Sequence, residues 1–423
     1  MKAVVLAAGE GERLKPLTAT RPKHLLPIGN KPLLELLLEG LREAGIREVI
    51  LVVGYMGDSI QKTFGDGKRL HLKTSYIKQE RLLGTGAALK LAEEEVSDEE
   101  FLVTYGDLFV ESSVFSDVID TYRQKKTNVL AVVAVDKPAD YGVIQLGAGG
   151  KMIDLIEKPL KTSSRMANAG VYVLSPTIFK EIENTAFSTR GEIEITDPLQ
   201  RLAKSKEDIY SVQVDRASWI DIGRPWDLLV ANDRYLEQLD PAVNGVVEKN
   251  VQIKGRVRIE EDAVIRSGSY LEGPLLVGRG SQIGPNCFLR PSTALGVNVR
   301  IGNGCEIKNT IIFDRTHAPH LSYVGDSIIG EACNLGAGTV VGNVKLDNSN
   351  VKSIVKGTVV DSDRRKLGTI IGDNVKTGIN TSIMPGIKVW PNSQIGAHAL
   401  VTRDVPSNVR VIVHQHVTME SLD

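Results

Sequence analysis

The sequence has no excess of positive charge and no long apolar run, and each absence excludes a class of protein. Its 51 Lys and Arg residues against 52 Asp and Glu leave a formal net charge of −1, which argues against a surface for nucleic acid or anionic membrane. No apolar stretch approaches the roughly 18 residues of a membrane span, and the start MKAVVLAAG lacks the layout of a signal peptide. We therefore expect a cytoplasmic protein with neither a nucleic-acid nor a membrane partner.

Cysteine is also scarce. The three residues Cys287, Cys305 and Cys333 are too few for a disulfide scaffold and too scattered for a zinc site. What the sequence does have is length, because 423 residues with 42% hydrophobic content can build two domains with cores of their own.

The first part of the chain has the pattern of an α/β domain. Residues 1–240 alternate short apolar runs, such as AVVLA (3–7) and VILVV (49–53), with amphipathic stretches such as 33–45. This alternation predicts βα units and a sheet covered on both faces. We expect a domain over 1–240, a linker over 241–250 and a second domain over 251–423.

The second part has a period of six. An aliphatic or aromatic residue stands at every sixth position from Ile253 to Phe313, and each cysteine precedes a position of this spacing by two residues. A period of six predicts one short strand and a turn per repeat, stacked as a parallel β-helix with a ladder of like side chains inside. We expect the cysteines to be inert packing residues beside this ladder.

The ladder is interrupted twice, at 314–323 and at 343–368. A solenoid accepts insertions as loops on one face, often the binding face. The first interruption holds His317 and His320, two of only seven histidines in the chain. A side-chain pKa near 6.5 suits a general base close to neutral pH. These segments therefore predict a second site.

A glycine-containing loop follows the first predicted strand. Gly9 and Gly11 would let the backbone approach phosphates, and the cations Arg13 and Lys23 follow within reach. The loop is neither a Walker motif nor a full dinucleotide fingerprint, because Leu14 stands where a third glycine would fall. Taken alone, the glycine pair is equally typical of a tight strand-to-helix turn.

Two carboxylates, Asp107 and Asp221, end apolar runs that read as strands. Such positions lie at the sheet edge where ligands bind in α/β proteins. Two carboxylates there could hold one Mg²⁺ and bridge it to a phosphate.

The run LAAGEGERLKPLTATRPKHLLPIGNKPLLE resembles the signature of the sugar-1-phosphate nucleotidylyltransferases, and further motifs of that family follow in its order over nearly all of residues 1–230. The resemblance implies a Rossmann-like mixed sheet, with Arg13 and Lys23 neutralising phosphates and Asp107 and Asp221 ligating Mg²⁺. It also implies a set of contacts to the nucleotide and the sugar phosphate: Leu6, Ala7, Ala8, Gly9, Gln79, Gly84, Thr85, Tyr105, Gly106, Gly142, Glu157, Lys158 and Asn168.

One residue departs from that family's pattern. Glu12 stands before the arginine, where the family usually has threonine. A carboxylate beside a triphosphate is unfavourable unless it points away or pairs with a cation. The sequence leaves both alternatives open.

The string HLSYVGDSIIG…NLGAGT resembles the acetyltransferase domain of the bifunctional glucosamine-1-phosphate acetyltransferases that are joined to N-acetylglucosamine-1-phosphate uridylyltransferases. The resemblance implies a left-handed β-helix, assembly as a homotrimer, and His320 as the base that deprotonates the sugar amine. The implied acetyl-acceptor residues are Tyr323, Asn334, Asn343 and Lys352, and the implied acetyl-CoA residues are Ala337, Ile379 and Ala397. The cluster Arg364–Lys366 could grip the CoA phosphates or be a solvated turn.

The favoured hypothesis is a two-site enzyme that acetylates a hexosamine-1-phosphate and transfers a nucleotidyl group to a sugar-1-phosphate. In a second interpretation the β-helix is only an oligomerisation and regulatory module, and in a third the chain is a non-enzymatic regulatory subunit. The intact residues of both implied sites argue against these two. Because KPLTATRPKHLLPI is closer to thymidylyl- and guanylyl-transferring members, we predict use of both UTP and dTTP and of more than one hexose-1-phosphate.

Overall fold

A computed structural model describes residues 1–96, 99–188, 191–205 and 207–422. By their contacts these residues form two compact units. Unit 1 comprises Met1–Glu10, Arg21–Leu26 and Pro32–Ile222, and unit 2 comprises Gly11–Thr20, Pro27–Lys31 and the chain from Gly223 onward. Within the described ranges no helix is both long and apolar enough to cross a membrane.

The first half of the chain alternates strands and helices. Its strands are β1 (Ala3–Ala7), β2 (Pro27–Ile28), β3 (Lys31–Pro32), β4 (Glu48–Val53), β5 (Lys73–Lys78), β6 (Phe101–Tyr105), β7 (Leu108–Val110), β8 (Val129–Ala134), β9 (Gly142–Leu146), β10 (Met152–Glu157), β11 (Met166–Leu174), β12 (Tyr210–Val214) and β13 (Trp219–Asp221). The α-helices are α1 (Leu33–Glu43), α2 (Gly57–Phe64), α3 (Thr85–Lys90), α4 (Glu93–Val96), α5 (Ser112–Lys125), α6 (Thr177–Glu183), α7 (Thr196–Lys204) and α8 (Pro225–Gln238).

Unit 1 is built on one mixed sheet. Among the described residues its strands run in the order β10-β9-β11-β6-β1-β4-β5, with β8 attached to β11 and β12 to β8. Strands β1, β4, β5 and β6 are parallel, whereas β11 runs antiparallel to β6, β8 and β9. The carboxyl ends of β1 and β6 therefore meet at one edge, where the loop with Gly9 and the motif Gly106-Asp107 follow.

Local sequence explains the burial of these elements. Strand β1 is apolar at every position and fully buried, as expected of a strand covered on both faces. Helix α1 buries Leu34, Leu37, Leu38 and Leu41, whose spacing of three and four places them on one face. The structure thus confirms the predicted α/β fold.

Unit 2 contains the β-helix, whose short strands are β14 (Ala242–Val243), β15 (Val246–Val247), β16 (Gln252–Lys254), β17 (Val257–Ile259), β18 (Val264–Ile265), β19 (Tyr270–Glu272), β20 (Leu275–Val277), β21 (Gln282–Ile283), β22 (Phe288–Leu289), β23 (Thr293–Leu295), β24 (Arg300–Asn303), β25 (Glu306–Lys308), β26 (Ile311–Ile312), β27 (His317–His320), β28 (Tyr323–Gly325), β29 (Ile328–Ile329), β30 (Val340–Val341), β31 (Lys352–Val355), β32 (Thr358–Asp361), β33 (Ile370–Ile371), β34 (Lys376–Thr377), β35 (Ser382–Ile383), β36 (Lys388–Val389), β37 (Gln394–Ile395), β38 (Leu400–Val401) and β39 (Arg410–Val411).

Apart from β31 and β32, these strands stack in parallel along three faces. Ile265 pairs with Ile283, and Ile283 pairs with Ile301, so one coil takes 18 residues and one side takes six. The ladder side chains form a single buried cluster along the axis. The parallel β-helix predicted from the period of six is confirmed, and it is of the left-handed type that the resemblance implies.

The prediction of an inserted loop at 314–323 is wrong. Over residues 314–323 the structure has no inserted loop, because β27 pairs in parallel with β24 and His320 lies opposite Asn303. His320 is therefore a strand residue rather than a loop residue.

The break in period comes from two shortened sides. The buried ladder runs from Ile307 to Ile312 and from Val324 to Ile329, which are steps of five residues instead of six. Ile312 therefore takes the ladder position that counting in sixes gives to Phe313. A deletion of one residue leaves no extra sequence to signal it, which is why the pattern suggested a loop.

The second interruption is an insertion, as predicted. Strands β31 and β32 form an antiparallel hairpin whose turn is Lys356-Gly357, both with positive φ. After it the ladder resumes, with Ile329 paired to Ile371.

Residues 241–250 begin the β-helix, although we expected a linker there. Strand β14 pairs with β17, and β15 pairs with β18. Because this terminal coil is only half covered, Val243 and Val246 remain more than half exposed, and its apolar spacing is too weak to read from the sequence.

The three cysteines pack inside the β-helix, and each thiol donates to a backbone carbonyl of the next coil. The acceptors are Gly302 for Cys287, Ala318 for Cys305 and Gly372 for Cys333. Burial raises the pKa of Cys287 and of Cys333 to about 12, and it also raises the pKa of Cys305.

Because a thiolate is the reactive form, we expect none of the three thiols to react with an aromatic disulfide reagent in the folded protein at mildly alkaline pH. All three should react in guanidinium chloride. A spectrophotometric thiol count under both conditions checks this, and a thiol that reacts at once in the folded protein would contradict it.

Candidate active sites

Unit 1 brings a lysine and a carboxylate together beside the glycine loop. The Lys23 ammonium forms an ion pair with the Asp107 carboxylate, and each side chain is 16% exposed. A Cβ added at Gly9 would lie 3.4 Å from Lys23 Nζ. The absence of a side chain at Gly9 therefore leaves open the space in front of this lysine.

The same edge carries the second carboxylate. Strands β7 and β13 pair antiparallel with Asp221 opposite Leu108, and the Ile222 N–H donates to the Asp107 carbonyl at 3.1 Å. The backbone thus places Asp107 and Asp221 on neighbouring strand ends, as the sequence predicts.

The donor set of these two residues suits a hard divalent cation. Mg²⁺ prefers oxygen ligands and is commonly bound through one or two carboxylates plus phosphate oxygens and water. Over the described residues no group of three His, Cys, Asp or Glu side chains is close enough to hold a metal by itself. Phosphate oxygens would have to complete the coordination at Asp107 and Asp221.

The nucleotide contacts implied by the resemblance lie on and after β1 and β6. Leu6 and Ala7 belong to β1, and the Gly106 N–H donates to the Leu6 carbonyl at 2.9 Å. Ala8 is also buried, and its carbonyl accepts from the Tyr55 N–H. The backbone of these residues forms a surface close to the Lys23–Asp107 pair.

A neighbouring loop contains Gln79, Gly84 and Thr85. Gln79 is buried, and its side chain donates to the Gly84 carbonyl at 3.3 Å. Gly84 has a φ of +102°, and a Cβ there would meet the Ile193 carbonyl at 2.5 Å. Only glycine tolerates both this φ and the close contact with Ile193, so the loop conformation at this position depends on Gly84.

The predicted sugar contacts converge on β9, β10 and β11. Gly142 pairs with Glu157, and a Cβ at Gly142 would lie 2.9 Å from Glu157 Oε2. Asn168 is buried opposite these strands, because Val143 pairs with its neighbour Ala167. The structure therefore brings Gly142, Glu157 and Asn168 together.

A buried hydrogen-bond chain fixes Asn168. Its Nδ2 donates to the Tyr172 hydroxyl at 2.7 Å, and that hydroxyl donates to the Tyr105 hydroxyl at 3.1 Å. Tyr105 packs edge-on against Tyr172 and meets the Cα of Gly170. Desolvation raises the pKa values of Tyr172 and Tyr105 well above the ordinary value of a tyrosine, so both hydroxyls stay protonated. Lys158 follows Glu157, with its Nζ 3.3 Å from Glu157 Oε1.

Arg13 belongs to unit 2 by its contacts. Its guanidinium lies beside Gly223, where a Cβ would stand 3.1 Å from Nη2. The preceding residue, Glu12, forms an ion pair with Lys356, which lowers the pKa of Glu12. Of the two alternatives that the sequence left open for Glu12, the structure thus shows pairing with a cation.

The β-helix joins two of the predicted acetyl-acceptor residues. Asn343 Nδ2 lies 3.1 Å from the Tyr323 hydroxyl and donates to Asp326 Oδ2 at 2.6 Å. Asp326 is 2% exposed and also accepts from Asn309 Nδ2 at 2.7 Å and from Lys308 Nζ at 3.4 Å. Asp326 and Asn309 both stand at the shortened sides of the coils.

A cavity of about 400 Å³ opens next to this network. Three cations line it, namely Arg290, Lys308 and Arg364, together with two carboxylates, Asp233 and Glu272. Burial lowers the pKa of Arg364, as expected of a guanidinium drawn out of water. Because the cations outnumber the carboxylates, the lining favours a small anionic ligand.

Arg290 and Lys308 are absent from the sequence prediction. They stand 18 residues apart, each directly after a ladder residue of successive coils. Two cations at the same outward position of successive coils could have indicated a site for an anion. The signal is weak, because an outward position accepts any polar residue. Lys352, the predicted phosphate contact, is exposed at the start of β31 and does not line the cavity; Arg364 of the same insertion does.

His320 and the predicted acetyl-CoA residues follow one edge of the β-helix. The His320 carbonyl accepts from the Gly338 N–H, the Ala337 carbonyl from the Asn380 N–H, and the Ile379 carbonyl from the His398 N–H. His320, Ala337, Ile379 and Ala397 thus stand in order on successive coils. Asn334 is exposed and forms a parallel bridge to His317, on the strand that carries His320.

The fold and the two side-chain clusters define a class of protein, a nucleotidyltransferase α/β unit followed by a hexapeptide-repeat β-helix. The family model for nucleotidyl transferases matches residues 2–238, and a model for the GMPPB C-terminal domain matches residues 271–405. A UDP-glucose pyrophosphorylase solved with UDP-glucose shares 27% identity at a TM-score of 0.51, covering 56% of this chain and 99% of that one.

Full-length relatives specify the family. The chain is 44% identical to the bifunctional protein GlmU of Methanococcus maripaludis over 96% of this chain and 95% of that protein. It is 43% identical to the bifunctional sugar-1-phosphate nucleotidylyltransferase/acetyltransferase of Sulfurisphaera tokodaii, over 96% of this chain and 98% of that protein. The chain belongs to this family of bifunctional nucleotidylyltransferase/acetyltransferase enzymes.

His24, next to Lys23, gives unit 1 a specific pH dependence. The side chain is fully buried, and in the described structure neither ring nitrogen has a hydrogen-bond partner. Desolvation lowers its pKa from 6.5 to about 3.

Because the unfolded chain takes up this proton and the folded chain does not, stability is retained above pH 6.5 and lost as pH falls. The loss should be about 1.4 kcal/mol per pH unit, or roughly 3 kcal/mol by about pH 4. We expect His24→Gln to reduce this slope and the exposed control His71→Gln to keep it. Denaturant titrations at several pH values measure both, and equal slopes would refute the assignment.

Proposed function

We propose that the protein acetylates glucosamine-1-phosphate, or a related hexosamine-1-phosphate, with acetyl-CoA, and transfers a nucleotidyl group from UTP or dTTP to a sugar-1-phosphate. The observation that carries the acetyl-acceptor assignment is the hydrogen-bonded network of Tyr323, Asn343 and Asp326, which reaches Lys308 at a cationic cavity.

In nucleotidyl transfer, an oxygen of the sugar-1-phosphate attacks the α-phosphorus of the nucleoside triphosphate. The bond from the α-phosphorus to the bridging oxygen breaks, and pyrophosphate leaves. Lys23 and Arg13 would neutralise the charge on the triphosphate, and positioning carries most of the rate in such reactions. Asp107 and Asp221 would hold Mg²⁺, which supplies further neutralisation of phosphate charge.

The sugar would lie against Gly142, Glu157 and Asn168. The missing side chain at Gly142 leaves room beside the Glu157 carboxylate, and the tyrosine chain holds Asn168 in one orientation. A side-chain amide fixed in this way can accept and donate hydrogen bonds to sugar hydroxyls at low entropic cost. Lys158 would contact the sugar phosphate.

In acetyl transfer, His320 would take a proton from the sugar's 2-amino group. The amine then attacks the thioester carbonyl of acetyl-CoA, the carbon–sulfur bond breaks, and the thiol of CoA leaves after protonation. A neutral imidazole is suited to this step near pH 7. The exposed edge formed by Ala337, Ile379 and Ala397 would receive the CoA chain through backbone contacts.

The phosphate of the acceptor would bind to Arg290, Lys308 and Arg364 rather than to Lys352. Arginine and lysine are the usual phosphate ligands in proteins. The link from Lys308 through Asp326 to Asn343 would hold the phosphate and the sugar contacts in one geometry.

Choice of nucleotide rests on small differences. UTP and dTTP differ by a base methyl group and a ribose hydroxyl, and a missing methyl group is worth only about 1–3 kcal/mol of discrimination. A glucose-1-phosphate thymidylyltransferase from Streptomyces griseus is 35% identical over 78% of this chain. This likeness supports use of dTTP beside UTP. The enzyme would be cytoplasmic and would form a homotrimer through its β-helix.

The acetyl transfer is tested first, with glucosamine-1-phosphate and acetyl-CoA but no nucleotide. We expect wild-type protein to release CoA thiol and His320→Ala to lose at least a hundredfold in rate, the magnitude of general-base catalysis. Pyrophosphate release from UTP by the same variant serves as the control for folding. If wild-type protein releases no thiol but still forms pyrophosphate, the β-helix is only an oligomerisation or regulatory module.

The acceptor pocket is tested separately with Arg290→Met. Its partner Glu306 is 37% exposed, so water can solvate that carboxylate after the change. Loss of a charge-assisted contact of about 1.5–3 kcal/mol should raise KM for glucosamine-1-phosphate by about tenfold or more. KM for acetyl-CoA should change less than twofold, and the exposed control Lys249→Met should change neither. Equal KM values for glucosamine-1-phosphate in wild type and Arg290→Met would show that its phosphate does not bind in this pocket.

A further inference from the structure

The segment Gly11–Thr20, which carries Arg13, has little internal structure. It forms two short 3-10 turns, Glu12–Leu14 and Leu17–Ala19. Inside it the Leu14 N–H and the Thr18 hydroxyl both donate to the Gly11 carbonyl, at 2.9 and 2.8 Å. These bonds, with those from Lys15 to Glu12 and from Ala19 to Pro16, close turns inside the segment but do not fix where it lies. Its position must come from what it contacts, through its buried side chains Leu14 and Leu17 and through polar contacts.

Three side chains of the β-helix supply polar contacts spread along the segment. Lys356 pairs with Glu12 near the start, Lys388 Nζ donates to the Lys15 carbonyl at 2.9 Å, and Asp373 Oδ2 accepts from the Thr20 hydroxyl at 2.6 Å. Segment and β-helix both belong to unit 2.

Lys388 is an unusual residue for its position. It is 3% exposed, and it pairs in the sheet with the apolar Ile370. A buried ammonium is costly unless it is hydrogen-bonded, and desolvation lowers the pKa of Lys388 to about 8. Packing alone would favour an apolar side chain here. The amine is instead stabilised by the Lys15 carbonyl and by the charge of Asp404, whose Oδ1 accepts from the Lys388 backbone N–H at 2.9 Å.

Asp373 is held by burial and hydrogen bonds, whereas the Lys356 side chain is 56% exposed and is positioned through the backbone of its hairpin. Asp373 is 7% exposed, and its Oδ1 accepts from the Glu331 N–H at 2.8 Å. Lys356 stands at the turn of the β31–β32 hairpin, whose base is tied to the β-helix by a bond from the Ser353 hydroxyl to the Gly386 carbonyl at 2.7 Å. Anchors with fixed positions can fix what they contact.

We infer that Lys356, Asp373 and Lys388 are positioning residues for nucleotidyl transfer, acting by holding the segment that carries Arg13. This rests on the role proposed for Arg13 above. Lys356 has a second effect, because without it the Glu12 carboxylate stands uncompensated one residue from a cation that is to meet a triphosphate.

The test exchanges the charges of one anchor. Pyrophosphate release and CoA thiol release are measured on the same preparations of wild type, Lys356→Glu, the double variant Glu12→Lys/Lys356→Glu, and the exposed control Lys249→Glu. We expect Lys356→Glu to raise KM for UTP about tenfold, while thiol release stays within twofold of wild type. The double variant should return KM to within about threefold of wild type, and the control should match wild type.

Thiol release shows that each variant is folded, and rescue by the exchange separates positioning from general damage. Unchanged KM in Lys356→Glu, or a double variant no better than the single one, would overturn the inference and leave the proposed function intact. A wild type without pyrophosphate release would overturn both.

Thr20 offers a milder test at the other end of the segment. Thr20→Val removes the donor to Asp373 at nearly constant volume, and Thr20→Ser keeps it. We expect KM for UTP to rise severalfold in Thr20→Val and to stay within twofold of wild type in Thr20→Ser. Equal KM values in the two variants would exclude a positioning role for Asp373.

Discussion

The interior of a parallel β-helix is only wide enough for rows of single side chains, and this limit determines where every corner stands. Ile265, Ile283 and Ile301 stack at 0% exposure, so a coil cannot widen or slip without opening the core. The outward-facing residues are therefore spaced as regularly as the buried ladder residues. Tyr323, Arg290 and Lys308 are therefore held by the packed ladder residues behind them rather than by flexible loops.

In both halves of the chain, cations that we propose to bind phosphate are paired with carboxylates. Lys23 contacts Asp107, and Lys308 lies 3.4 Å from Asp326. Pairing orients a partly buried cation, so that little reorganisation would be needed if an anionic substrate bound beside the carboxylate. The desolvation penalty of such a pair is lower than that of an isolated buried charge. The pair would also keep the side chains close to the positions that they take with a bound substrate.

Sequence predicted what depends on local repetition or on contiguous motifs. The period of six fixed the β-helix, and the glycine and aspartate motifs led to the edge where Lys23, Asp107 and Asp221 meet. It could not predict contacts between distant segments, such as Glu12 with Lys356 or Lys308 with Asp326, because nothing local to either residue specifies its partner. Arg290 was missed because outward positions of a coil carry no burial constraint.

The two five-residue sides bear on how a binding site can arise in a repetitive fold. Most of the β-helix keeps sides of six, so its surface offers similar ridges from coil to coil. Where one residue is missing, the corners at Asn309 and Asp326 come to face each other across a 2.7 Å hydrogen bond, and the cavity opens beside them. A solenoid can thus gain a surface recess through the loss of single residues, while the coils before and after the recess keep their structure.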